Sequence, residues 1–564
     1  MNDDSSSDQL RMIAFIAITL VIFWGWSHFY KPPVPPLQAP GQTTQQPVPA
    51  LPNTSPAPPF SGTTAPRANK DVVEATEEKT IVVESPLFCI ELSNRGGVVR
   101  SWKLKKYFDD QKPPRSLDLV DPDSSTELGW PFSLVLSDRD LESRANSALY
   151  QIAPGNDHFD SPAEITFHWS DGHLEVTKTL KFSRDYEMSL VVSATLDGKQ
   201  LPSAIAWRGG FGDKAVYQAS QLVSVFYKTN GKLNLLQYKK LGVPGKQDQP
   251  VQQPGPMEFA GIMDQFFTAT FLPDGTDLSI WHWMQDHHIT VEDKSATEPE
   301  AEMAAGTTLG VPLRMRAYVG PKDLTLLGKV KPSLEELVQF GWTTIIAKPL
   351  FEVLKWVYRY VPNYGWAIIV LTIAINTALF PLKMKSWRSM QKMQKVQPEV
   401  RAIQDRYKKY AFNDPRKKKM NEEVMAIYQR EGINPMGSCL PMVFQMPIWW
   451  ALWRVLTGAI ELRHAPWIGW IHDLSAKDPY YILPASMAIT MYLMTKMTPQ
   501  TTTDPAQQKM MSLMPLMFAV FFFRLSSGLN LYMFTSNLIG VTQQMYLNRT
   551  NPLPSKGKFK KKSE

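Results

Sequence analysis

Cysteine is nearly absent from this chain, in which Cys89 and Cys439 are the only two among 564 residues. Two cysteines are too few for a zinc site built from cysteines. They also fall in segments that the patterns described below place in different compartments, so a disulfide between them is not expected. The sequence also lacks the HExxH motif of a metalloprotease, the GxSxG turn of a hydrolase and a phosphate-cradling glycine loop. These absences predict no catalytic residue, no metal and no cofactor.

Apolar residues are concentrated rather than spread along the chain. The mean hydropathy is −0.23, yet residues 12–30 are strongly apolar and further apolar runs crowd residues 340–547. Three aspartates in residues 1–11 and aromatic residues at the end of the first run favour an uncleaved transmembrane anchor over a signal peptide. Residues 31–70 follow as a linker, because twelve prolines in 32–66 prevent a packed core.

Strand periodicity sets in over residues 71–331. Ile165, Phe167 and Trp169 alternate with polar residues up to an Asp-Gly turn, and two further alternating segments follow. This antiparallel meander with one buried face predicts an all-β sandwich of about 240 residues. Residues 332–362 then change to a helical period with aromatic residues on a mixed face, which predicts a helix lying on a membrane surface, with a plain soluble helix as the alternative.

Five membrane-spanning helices are predicted within residues 363–550. They lie near residues 364–382, 436–458, 480–497, 510–524 and 529–547. Acidic residues are absent from the middles of the spans, which argues against a proton relay or an ion-coupled transporter. The spans do carry neutral polar residues, among them Thr372, Asn376 and Gln445. Interhelical hydrogen bonding and a shared wet cavity both explain them.

Basic residues fix the expected orientation. The segment 383–435 has fourteen Lys or Arg against six acidic residues, and 548–564 has six against one. Basic loops stay in the cytoplasm. Four spans separate the two segments, so both lie inside. The anchor then runs from inside to outside and leaves the β-domain outside.

The basic segment 383–435 also predicts a helical hairpin. Its apolar residues recur at helical spacing, and Asp414 and Pro415 are suited to begin the second helix. The tail 551–564 is basic too. Both segments are predicted to contact lipid headgroups or RNA, with a solvated charged surface as the alternative. The residues concerned are Arg416, Lys417, Lys418, Lys419, Lys556, Lys558, Lys560, Lys561 and Lys562.

Several longer motifs resemble the YidC/Oxa/Alb family of membrane insertases in its Gram-negative form. They include "GINPMGSCLPMVFQMPIWWALWRVLTGAIELRHAPW", "FPLKMKSWRSMQKMQKVQPEV", "QTTTDPAQQKMM" and "SSGLNLYMFTSN". The similarity covers residues 340–550, and the β-domain is more loosely similar through "IELSNRGGVV" and "YVGPKDL". The resemblance implies a polytopic α-helical inner-membrane protein, in which an N-terminal anchor and a five-helix core carry a periplasmic β-supersandwich and both termini are cytoplasmic.

The resemblance also implies an insertase and chaperone rather than an enzyme. In the family the core helices enclose a hydrophilic groove that is closed outside, and a nascent segment enters it and slides into lipid without nucleotide hydrolysis. The implied partners are nascent membrane proteins, the ribosome, the Sec translocon, the signal recognition particle and its receptor, and membrane lipids. Two rival functions stay open on the residues alone: a membrane-anchored periplasmic carbohydrate-binding or carbohydrate-modifying protein, and a solute channel.

Asn376 is the main departure from the family pattern. The predicted substrate-groove residues are Thr372, Asn376, Gln445, Tyr532, Met533 and Ser536. Many family members have Arg at the position that matches Asn376, and an aromatic residue where Met533 stands. A neutral amide offers two donors and one acceptor, but it cannot attract an acidic segment as a cation would. Because the family accepts Arg there, the substitution Asn376→Arg is expected to be tolerated.

The charge distribution makes a prediction about topology. A reporter fused within 383–435 or at the C-terminus should read cytoplasmic, and a reporter within 459–479 or the β-domain should read periplasmic. Paired alkaline phosphatase and fluorescent-protein fusions measure this. A periplasmic signal from 383–435 would overturn the whole arrangement.

Overall fold

The computed structural model describes residues 72–214, 222–243, 246–291, 294–410, 414–433, 440–498 and 521–550, together with 510 and 513. The predicted anchor 12–30, the linker 31–70, the tail 551–564 and most of the span 510–524 lie outside the described residues. The chain divides into two compact units. Residues 72–344 and 458–463 form the β-unit, and residues 345–457 and 464–550 form the helical unit.

The described residues of the β-unit form twenty strands and three short α-helices, besides several 3₁₀ turns. The strands are β1 Thr80–Glu84, β2 Phe88–Ser93, β3 Val98–Phe108, β4 Ser116–Asp118, β5 Ser133–Val135, β6 Gln151–Ala153, β7 His158–Asp160, β8 Ala163–Ser170, β9 Leu174–Phe182, β10 Glu187–Leu196, β11 Lys199–Gln200, β12 Ala204–Trp207, β13 Ser224–Thr229, β14 Lys232–Gln237, β15 Val251–Gln253, β16 Phe259–Met263, β17 Phe267–Pro273, β18 Ser279–Val291, β19 Lys294–Gly306 and β20 Leu313–Pro321. The helices are α1 Pro122–Leu128, α2 Arg139–Ser147 and α3 Leu324–Leu327.

These strands form three sheets. One has the order β4-β3-β2-β1-β7, the largest has the order β14-β13-β16-β17-β20-β10-β9-β8-β6 with β11 paired to β10, and the third has the order β15-β18-β19-β12-β5. The meander β8-β9-β10 is antiparallel, and Ile165, Phe167 and Trp169 all point into the core. Gly172 makes the turn between β8 and β9 with a φ of 91°, where glycine carries no Cβ penalty. The predicted all-β class is confirmed.

Aromatic rings from all three sheets meet at Phe132, just before β5. Its ring lies 6.2 Å from that of Trp102 on β3, 6.1 Å from Phe271 on β17 and 6.1 Å from Trp207 on β12, measured between centroids. Offset and edge-on pairs at such distances stabilise a core beyond the area they bury. This cluster joins the three sheets into one hydrophobic core.

A buried lysine holds the backbone around this cluster. The Lys178 ammonium on β9 donates to the carbonyl oxygens of Gly96 at 2.7 Å, Phe132 at 2.9 Å and Gly97 at 3.3 Å. Complete burial lowers the pKa of Lys178 to about 7. Because a lysine ammonium has three donors, these three carbonyl groups use all of them. Lys178 therefore has no donor left for a ligand.

The described residues of the helical unit contain six helices: α4 Thr344–Tyr360, α5 Tyr364–Arg406, α6 Pro415–Arg430, α7 Leu440–Gly458, α8 Ile482–Met497 and α9 Ser527–Thr550. Helix α5 packs on α9, which also packs on α8. Of the described helices, α5 alone is long and apolar enough to cross a membrane. Helices α7, α8 and α9 coincide with the predicted spans 436–458, 480–497 and 529–547.

The helix predicted over residues 332–362 is shorter in the structure. Residues Glu335–Leu337 and Gly341–Thr343 form separate 3₁₀ turns, and α4 begins at Thr344. Gly341 has a φ of 59°, which an α-helix does not accommodate. On α4 itself Trp356 and Tyr360 are exposed while Phe351 and Leu354 are buried, so the helix keeps the predicted mixed face.

A buried carboxylate lies between two strands of the third sheet. Glu302 on β19 is fully buried, and its two carboxylate oxygens accept hydrogen bonds from the Gly209 amide and the Trp283 indole N–H. Burial raises the pKa of Glu302 to about 7, although the two donors and the nearby Arg208 favour its ionised form. The folded protein therefore binds a proton at Glu302 between about pH 4.5 and pH 7, where the unfolded chain has lost it.

This difference makes the stability of the β-unit depend on pH. The contribution of Glu302 is present at acidic pH and is lost as the pH rises through about 7. Glu302→Gln removes the titration, so the free energy of unfolding of the variant relative to the parent should rise between pH 5.5 and 8, by a few kcal/mol at most. Pulse proteolysis in urea of the detergent-solubilised chain measures this, with exposed Glu164→Gln as control. A constant difference would contradict it.

Candidate functional site: a buried polar cluster in the helical unit

Asn376 lies fully buried on α5, and each of its side-chain polar atoms has a partner. Its Nδ2 donates to the Thr372 carbonyl oxygen at 2.9 Å and to the Ser536 hydroxyl on α9 at 3.2 Å. Its Oδ1 accepts from the Lys383 ammonium at 2.7 Å. An amide with all its hydrogen bonds made is stable in a low-dielectric interior, whereas each unmade bond costs about 1–3 kcal/mol.

Gln543 on α9 completes the arrangement. Its Nε2 donates to the Asn376 backbone carbonyl at 3.3 Å, and its Oε1 accepts from Lys383 at 3.4 Å. Thr372, which is also fully buried, donates a hydrogen bond from its hydroxyl to the Ile368 carbonyl oxygen at 2.6 Å. Thr372, Asn376, Lys383, Ser536 and Gln543 are called the Asn376 cluster below. It joins two helices that are about 160 residues apart in sequence through side chains that are mostly uncharged.

The predicted groove residues are only partly brought together. Thr372, Asn376 and Ser536 meet in the Asn376 cluster. Gln445 on α7 instead donates to the Tyr532 hydroxyl at 3.1 Å, which forms a second polar contact. Met533 is half-buried and adds no hydrogen bond among the described residues.

Lys383 was not among the predicted groove residues. By charge it belongs to the basic segment that begins at residue 383, and the charge pattern does not predict a position beside Asn376. The available signal was the spacing: residues seven apart lie on the same face of an α-helix, about 10 Å apart along its axis. Side chains lean toward the helix N-terminus, so a lysine at 383 reaches back toward Asn376.

The basic hairpin is present as predicted. The C-terminal half of α5 and the helix α6 bury Met393, Val400, Ile403 and Ile427 between them. The Asp414 side chain caps α6 by accepting from the Arg416 amide at 2.9 Å. The apolar stripe is thus used within the hairpin and is not left for a partner. Arg416, Lys418 and Lys419 are exposed and Lys417 is half-buried, whereas the basic tail residues lie outside the described part of the chain.

Comparison with known proteins finds family matches over most of the chain. A family model described as the YidC periplasmic domain matches residues 80–353, and one described as the 60Kd inner membrane protein matches residues 356–555. The chain is 32% identical over 558 residues to the membrane protein insertase YidC of Methylobacillus flagellatus, covering 96% of this chain and 97% of the relative. The chain belongs to the YidC family of membrane protein insertases.

Other members of the YidC family are similarly close. The membrane protein insertase YidC of Cupriavidus necator is 33% identical over 508 residues, covering 88% of each chain. A crystal structure of an active YidC insertase with its first transmembrane domain resolved is 18% identical, with a TM-score of 0.34 and coverage of 85% of this chain and 95% of that one. The family model of the YidC periplasmic domain matches most of the β-unit, and the Asn376 cluster lies within the residues matched by the 60Kd inner membrane protein model.

Removing the amide of Asn376 should leave its partners unsatisfied. In Asn376→Leu the Lys383 ammonium keeps only the long contact to Gln543, and Ser536 loses its partner on α5. We expect impaired insertion of client proteins, most for those with charged tails, because each lost partner costs about 1–3 kcal/mol. Protease protection of acidic, neutral and basic tails in vesicles measures this.

Asn537→Leu is the matched control, because the Asn537 Nδ2 is buried without a hydrogen-bond partner among the described residues. If Asn376→Leu inserts all three tails as the parent does, Asn376 serves only to hold α5 and α9 together.

Proposed function

We propose that this chain inserts nascent membrane proteins into the inner membrane and that the Asn376 cluster lines the path of their polar segments. The supporting observation is a fully buried amide bound to a lysine ammonium on α5, the helix that is apolar and long enough to cross a membrane. Polar residues at such a depth are costly unless they serve a binding site or a path.

The helix lengths support a shortened apolar path. Helix α8 has 16 residues and therefore spans about 24 Å, less than a hydrocarbon core of about 30 Å. A client segment that crosses the membrane beside short helices and a polar cluster passes through a shorter stretch that is without water. The barrier then falls because binding groups replace part of the lost hydration, and no bond-making chemistry is required.

The partners and the orientation are part of the same proposal. The exposed Arg416, Lys418 and Lys419 of the hairpin offer positive charge to ribosomal RNA or to anionic lipid headgroups. The signal recognition particle, its receptor and the Sec translocon are further proposed partners, as the family resemblance implies. Both termini are proposed to be cytoplasmic and the β-unit periplasmic, because the positive charge of 383–435 and of the tail would stay inside.

Reconstitution tests this function directly. The purified chain in liposomes should insert a single-span client with a short tail, which then becomes protected from added protease, whereas protein-free liposomes should not. A chain that lacks residues 72–320 should retain most of this activity. A solute channel would instead conduct ions and leave the client unprotected. A carbohydrate-binding or carbohydrate-modifying protein would lose all function with the deletion.

A further inference from the structure

Lys383 has an ammonium group with spare binding capacity. Its two acceptors are amide oxygens, Asn376 Oδ1 at 2.7 Å and Gln543 Oε1 at 3.4 Å. Among the residues that the structure describes, no carboxylate forms an ion pair with it. An ammonium has three donors, so one N–H remains for an acceptor that the described chain does not supply. The half-buried Lys383 thus differs from Lys178, whose donors all bind backbone carbonyls.

The direction of the side chain carries its charge toward the apolar part of α5. A lysine near the end of a span ordinarily extends toward the headgroups. Lys383 reaches back instead, because side chains lean toward the helix N-terminus and the Asn376 oxygen holds the ammonium at 2.7 Å. Asn376 therefore acts as a positioning residue for this cation.

We propose that Lys383 is a specificity-determining residue that receives the acidic side chains of a client segment, with Asn376 and Gln543 holding its ammonium in place. This proposal rests on the proposed insertase function. A carboxylate entering the cluster supplies the missing acceptor and the missing negative charge together. Such a contact is much stronger in a partly dehydrated site than in bulk water, so acidic segments should be favoured over neutral and basic ones.

The same geometry reverses the expectation that Asn376→Arg is tolerated. A guanidinium at position 376 would lie beside the Lys383 ammonium, and two like charges at that distance repel. Positions 376 and 383 share one site for one cation in this chain. Asn376→Arg alone should therefore impair insertion, and the double variant Asn376→Arg with Lys383→Met should restore the preference for acidic tails.

The test uses the full chain in liposomes and three versions of one single-span client, with an acidic, a neutral or a basic tail. Lys383→Met should lower the ratio of protected acidic to protected neutral tail about twofold to fivefold, as expected for one partly screened charge contact. It should also raise the relative insertion of the basic tail, a gain that misfolding cannot produce. Lys383→Arg should keep the acidic preference.

Lys385→Met is the matched control, because Lys385 lies on the same helix but is exposed. It should retain the parental ratios. An equal fall for all three tails in Lys383→Met would make Lys383 a structural residue, and unchanged ratios would also overturn the proposal. In both cases the parent chain still inserts clients. Failure of the parent chain to insert any of the three would instead refute the insertase function.

Discussion

A buried amide must find a hydrogen-bond partner for each of its polar atoms, and the helical unit is organised around how Asn376 does so. Its donors bind Thr372 and Ser536, and its acceptor binds Lys383. These bonds fix the rotation of α5 about its axis and its register against α9, since a shift of either helix would leave several groups unpaired at once. The same bonds keep all the polar atoms of a fully buried amide paired.

The two units treat buried charge in opposite ways. In the β-unit, Lys178 is saturated by three backbone carbonyls, and the Glu302 oxygens accept from a backbone amide and an indole. Burial disfavours the charged forms of both groups, which brings both pKa values to about 7, and their hydrogen-bond partners belong to the rigid core. In the helical unit, Lys383 is held by two side-chain amides and retains a donor. A charge that is held but not saturated is suited to bind a passing segment.

In the basic hairpin the apolar residues and the charged residues occupy different faces of the helices. Its apolar residues meet between α5 and α6, and ion pairs such as Arg430 with Glu399 at 2.7 Å and Arg406 with Glu423 at 3.0 Å lie at its surface. Exposed pairs of this kind contribute little to stability. Because fourteen basic residues stand against six acidic ones in 383–435, the segment carries a net positive charge, whose electrostatic reach is about a Debye length of 10 Å.

Local sequence patterns determined most of the secondary structure of this protein. The alternation around Ile165 and Phe167 predicts the meander because a strand repeats every two residues, and the hairpin helices follow from a 3.6-residue period in the same way. Charge counts predict the orientation, and the resemblance of several motifs to the YidC/Oxa/Alb family implies an insertase. The tertiary structure determined which polar side chains form hydrogen bonds with each other. Lys383 and Gln543 bind Asn376, and Gln445 binds Tyr532. A hydrogen bond between helices depends on their relative rotation and register, and spacing along one chain segment does not contain that information.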